Sequence, residues 1–89
     1  MKIDLNIELF DLNKMSVGFA NKMVAGLLMS EFKGDTIKLF DWAIAFNSTG
    51  FIEADEADLI KLTDLINTTD RMSIMAKGPI VKYLHTLKK

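Results

Sequence analysis

The chain has 89 residues and a formal net charge of −1. That length holds one small domain, residues 1–89, and the charge speaks against a nucleic-acid binder, whose phosphate contacts need a clustered positive surface. There is no cysteine, so disulfides and cysteine-based zinc sites are excluded. No charge-free apolar run approaches the ~18 residues of a membrane span. The N-terminus lacks the apolar h-region of a signal peptide, so a cytoplasmic protein without a membrane partner is expected.

Residues 2–10 read K-I-D-L-N-I-E-L-F, with Ile3, Leu5, Ile7 and Leu9 on one face and polar residues on the other. Strict period-2 alternation predicts a half-buried strand. Asp11 to Lys14 supplies turn chemistry. From Ser16, a potential cap, to Phe32 the pattern is helical. Lys33-Gly34 stops that helix, with Gly34 as a left-handed cap. Asp35 caps a second helix, Thr36 to Phe46, in which only Lys38 and Asp41 are clearly polar. A helix apolar on nearly every side is expected to be buried on nearly every side. Asn47 to Gly50 forms a turn, and Phe51 to Ala54 a short strand whose expected partner is the N-terminal one. Asp55 caps a helix over Glu56 to Ile66, with Asp58 close to a capping-box arrangement. The last helix runs from Arg71 towards Lys88, and Pro79 is expected to kink it or divide it at Gly78. The fold class is therefore α+β, mainly α: an N-terminal strand or a two-stranded sheet packed with three to four helices.

A twelve-residue calcium loop laid on Ala45 to Glu56 places its glycine on Gly50, its hydrophobic on Ile52 and its closing carboxylate on Glu56. This resembles the second half of an EF-hand, with Asn47 and Glu53 also on ligand positions. The first position should be Asp and is Ala45; the fifth should be Asp or Asn and is Thr49. Calcium needs 6–8 oxygens, several of them charged. Asn47, Glu53 and Glu56 are thus weak metal candidates, and a turn, a strand and a capped helix account for every residue. No metal or other cofactor is expected.

Enzymatic chemistry has few carriers. His85 is the single histidine, and none of Ser16, Ser30, Ser48 or Ser73 lies in a nucleophile-elbow setting. No catalytic residue is assigned, and an enzyme is not expected. The carboxylates Glu53, Asp55, Glu56 and Asp58 suit a helix start or an acidic patch facing a basic partner. The basic set Arg71, Lys77, Lys82 and Lys88, with His85, offers a place for a small anionic ligand or simply a solvated helix surface. The six methionines suit core gaps and adaptable binding surfaces alike.

Two helices apolar on most sides exceed what one small domain encloses. Leaving ~500 Å² of apolar surface in water forgoes about 12 kcal/mol, comparable to a whole domain's stability. A homo-oligomer is therefore expected, as a dimer or small ring, with Ile3, Leu5, Ile7, Phe19, Met23, Leu27, Phe40 and Trp42 as interface candidates. A free edge of the N-terminal strand is a second route.

Across most of the chain, Lys33-Gly34-Asp35, Lys38, Trp42-Ala43 and Asp58 stand where small proteins of tailed bacteriophages and prophages carry K-G-D-x-x-K, a W-A pair and a D-x-x-x-L helix. The chain resembles those proteins. The resemblance implies a phage origin in a bacterial host. Small size, no catalytic set and an apolar oligomer interface then make the expected function that of a non-enzymatic accessory protein binding a host component, such as a defence protein or its signal nucleotide. Two alternatives stand beside it: a virion or assembly component, and a degenerate calcium-binding protein.

Overall fold

The computed structural model describes residues 1–30 and 34–87. The order is β1 (Lys2–Asp4), β2 (Glu8–Phe10), β3 (Ser16–Phe19), α1 (Ala20–Met29), α2 (Thr36–Ser48), β4 (Phe51–Glu53), α3 (Glu56–Thr68) and α4 (Ile74–Thr86). The class is α+β and mainly α, as expected. β1 pairs antiparallel with β4, Ile3 opposite Ile52, which is the expected strand partnership. β2 and β3 form a second antiparallel pair.

The expected single strand over 2–10 is two strands. The Ile7 N–H bonds to the Leu5 carbonyl at 2.7 Å, a tight three-residue turn that redirects the chain. Before the turn the chain pairs with β4; after it, with β3. The alternation survives the turn, because Ile3, Leu5 and Leu9 are all buried, and Ile7 is half-buried.

The helix expected from Ser16 begins instead at Ala20, and Ser16–Phe19 is a strand. Gly18 sits at φ +119°, outside any helix. Asp11 closes the hairpin by accepting the N–H groups of Asn13 and Met15 on Oδ1, at 2.8 and 3.0 Å. Lys14 takes the left-handed conformation there, φ 63°. Phe19 stands at the N-cap and has no side chain to cap with. The cap's work falls to the turn: Ile7 and Leu5 carbonyls accept the N–H groups of Ala20 and Asn21, each at 2.8 Å. α1 is described to Met29; its expected end at Phe32 and the Lys33 stop lie outside the described residues.

α2 is not buried on nearly every side. Leu39, Trp42, Ala43 and Phe46 are enclosed, whereas Ile37, Phe40 and Ile44 stay exposed along the opposite side. One helix face suffices to pack on α1 and β4, and none of the described residues covers the other. α4 starts at Ile74, capped by the Ser73 hydroxyl, rather than at Arg71, and runs undivided through Pro79 to Thr86. Pro79 lacks the N–H that would bond the Met75 carbonyl, but the helix continues on its Ala76, Ile80 and Leu84 face, which is buried. Tyr83 ties α4 to β1 by accepting the Asp4 N–H at 3.0 Å.

The core joins Ile3, Leu5 and Leu9 to Val24, Phe46, Leu59, Leu62, Ile66, Ile80 and Leu84. Among the described residues no helix is long and apolar enough to cross a membrane.

Candidate functional site

An open groove of about 770 Å³ runs along the outer side of α4, lined by Asn67, Ile74, Lys77, Gly78, Pro79, Val81, Lys82 and His85. The spacing explains it. Ala76, Ile80 and Leu84 turn inward, so Ile74, Lys77, Val81 and His85 fall on the other side. Gly78 carries no side chain into the space between them, Pro79 adds its ring to the lining, and the end of α3 supplies Asn67. Lys77 Nζ donates to the Asn67 carbonyl at 3.4 Å. The groove has a mostly apolar lining with three basic side chains, and among the described residues no carboxylate lines it.

Three of the five expected ligand-binding residues, Lys77, Lys82 and His85, therefore share one groove. Arg71 does not join them. Its Nη1 donates to the carbonyl and hydroxyl of Ser30, at 2.5 and 2.8 Å. There it lines a smaller cavity of about 390 Å³ between α1 and the start of α4. The α1 end needs donors for its unpaired carbonyls, and Arg71 supplies one. Lys88 lies outside the described residues. Asn67, Ile74 and Val81 were missed in the sequence. The signal that reveals them is the side of α4 opposite its buried stripe.

A third cavity, of about 530 Å³, gathers Asp35, Asp41, Glu53 and Asp58 around Lys38, with Ile37 and Trp42. Of the expected acidic patch, Glu53 and Asp58 line it; Asp55 and Glu56 do not. Lys38 donates to Asp58 at 2.8 Å and lies 5.8 Å from the Trp42 ring centre. Asp58 also completes the expected capping box: its N–H donates to Asp55, and it accepts the Asp55 N–H. The Lys38 hydrogen bond, aided by the Asp55 N–H, holds the Asp58 carboxyl below the usual carboxylate range. The same bond raises Lys38 above the ordinary lysine value.

The signs fix a pH dependence. A depressed carboxylate stabilises the fold above its unfolded pKa, about 4, and that contribution fades as pH falls through the folded value. A raised lysine contributes below its unfolded pKa, about 10.4, and that is lost as pH rises past the folded value. Asp58→Asn is therefore expected to melt below wild type at pH 7, with the gap closing as pH drops under about 4. Thermal melts from pH 2 to 8 test this. A gap independent of pH would assign the loss to the cap rather than to the charge.

The weak metal candidates fall into different roles. Asn47 accepts the Lys22 ammonium on its carbonyl and Oδ1, at 2.7 and 3.2 Å. Glu53 lies on β4 opposite Lys2, and Glu56 opens α3. Among the described residues no three His, Asp or Glu side chains gather as a metal-binding group.

The interface candidates divide as well. Ile3, Leu5, Leu27 and Trp42 are enclosed in the chain's own core, because the apolar face of the strand and the inner helix faces pack on one another. Ile7 and Met23 are partly buried against that core. Phe19 and Phe40 are exposed.

No protein family matches the chain, and no curated protein and no solved structure matches it significantly.

Proposed function

We propose that this chain is a non-enzymatic binding protein that takes an anionic ligand of nucleotide size into the α4 groove and acts as a homo-oligomer. The observation that carries the reading is the convergence of Lys77, Lys82 and His85 on one groove with a mostly apolar lining. Its volume of about 770 Å³ falls within the roughly 300–1,000 Å³ of small-molecule sites. Ammonium groups offer charge-assisted hydrogen bonds to phosphate, while Ile74, Pro79 and Val81 offer a surface for a base or another flat apolar group. Among the described residues all the titratable groups there are basic, so the set is suited to holding an anion rather than exchanging protons between an acid and a base. If the phage resemblance of the sequence holds, this binding would act inside a bacterial host, on a signal nucleotide or an anionic segment of a defence protein. The exposed apolar side chains of α2 and the β2–β3 hairpin support self-association.

Calorimetric titration with inorganic phosphate and a panel of nucleoside phosphates tests the groove. Lys77→Ala and Lys82→Ala are each expected to weaken the tightest-binding nucleotide about tenfold, and raised salt to weaken it further. Equal affinity in the double variant would move the site elsewhere, and absence of binding across the panel would end the nucleotide reading. Native mass spectrometry of protein taken straight from cells gives the copy number and any retained ligand mass together. Larger rings without ligand favour the virion-component alternative.

A further inference from the structure

The β2–β3 hairpin carries an apolar surface that the described residues leave uncovered. Leu9 faces the core and is 1% exposed, opposite Gly18. By strand alternation Glu8, Phe10 and Phe19 face outward. Val17 is passed over in the register at the irregularity beside Leu9 and Phe10 and is 43% exposed. Phe10 is 51% and Phe19 47% exposed, and at the tip Leu12 is 91% and Met15 65% exposed. Together these five leave roughly 500 Å² of apolar surface in water, near the upper end of what a monomer shows.

We propose that a second copy of this chain covers that surface, the two hairpins stacking outer face to outer face and antiparallel about a two-fold axis. The proposal rests on the homo-oligomer reading above and names its contact. Area favours the hairpin over α2. Two hairpins bury roughly 1,000 Å², the threshold of a specific interface. Ile37, Phe40 and Ile44 of α2 offer roughly 300 Å² per copy, and twice that is typical of incidental contacts.

Charge favours a second copy and sets its direction. Glu8 stands at the base of the hairpin and Lys14 at its tip. Neither has an ion-pair partner among the described residues, where the one salt bridge is Lys38 to Asp58. Antiparallel stacking sets each Lys14 against the partner's Glu8. Parallel stacking would set like charges together. The remaining hairpin charge, Asp11, is taken up by N–H groups of the turn. One lysine beside two carboxylates does not attract an anionic lipid surface, which requires a basic rim.

Sedimentation velocity of the full chain across a concentration series tests this. Wild type is expected to be a dimer. The double variant Leu12→Asp/Met15→Asp is expected to raise the dimer Kd at least about 100-fold. Both side chains lie outside the core, so its circular dichroism should match that of wild type. Glu8→Lys and Lys14→Glu alone should each raise Kd about threefold, and the two combined should return it to near wild type. A dimer indifferent to these changes but broken by Phe40→Asp would place the contact on α2, overturning this proposal and sparing the oligomer. A wild-type monomer at every concentration overturns both, whether or not the hairpin then binds vesicles or a foreign protein.

Discussion

Replacing Phe46 by alanine is expected to remove about 3–5 kcal/mol of stability, the largest loss expected of a single truncation among the described residues. Phe46 has no exposed surface and is the bulkiest of the fully buried side chains. A chain of this length holds roughly 4–13 kcal/mol in all, so the variant is left marginal or unfolded at room temperature. The cost combines lost transfer energy with a cavity that the neighbours cannot collapse into. Collapse is hindered because Phe46 is also held through its backbone. Asn21, itself buried, donates its side-chain amide to the Phe46 carbonyl at 2.9 Å. That bond ties α1 to the last turn of α2 and fixes where the ring must sit. Urea unfolding measures the loss as a lowered midpoint with an unchanged slope. Phe40→Ala is the control on the same helix. Its ring is half exposed, so in the monomer it should cost less than about 1 kcal/mol. If the two variants lose equally, the inward face of α2 is misassigned.

The contrast between those two phenylalanines marks the limit of what the sequence disclosed. Local signals were legible. Asp35 accepts the Lys38 N–H and Asp55 and Asp58 cap each other, because capping involves residues three apart and needs no distant partner. The Phe51 strand and its pairing to the N-terminus were legible too, since alternation and a flanking glycine mark both. Signals that depend on other elements were not. Ser16 to Phe19 fits a helical pattern as well as a strand, and β2 together with Gly18 decided for the strand. α2 is apolar all round, and its sequence cannot say which side the core will take. The same applies to the basic residues. Charge alone grouped Arg71 with Lys77, Lys82 and His85, but α4 begins after Arg71, whose side chain turns to the end of α1 instead.

Gly50→Ala is expected to cost about 2–4 kcal/mol, from backbone strain and displaced hydrogen bonds together. Gly50 lies at φ +85°, where an alanine is strained by about 1–2 kcal/mol. A β-carbon there would also run into the side-chain amide of Asn6. That amide donates to the Asp4 carboxylate and the Thr49 carbonyl, both at 3.0 Å, so moving it away breaks the link between β1 and the end of α2. The glycine holds a junction besides. Its N–H bonds to Ala45 at 3.1 Å, and its carbonyl accepts the Leu5 N–H at 2.8 Å. The cost therefore has two separable parts. In an Asn6→Ala background the collision is gone and only the strain remains, so the same substitution should cost about 1–2 kcal/mol there. A cost unchanged by Asn6→Ala would show that strain alone sets it. The position is also the glycine that lends the segment its likeness to a calcium loop, and here it answers to a tight turn against Asn6. The loss should accordingly be equal in EDTA and in calcium. A wild-type Tm that rises with calcium, and a rise that Gly50→Ala abolishes, would restore the EF-hand reading.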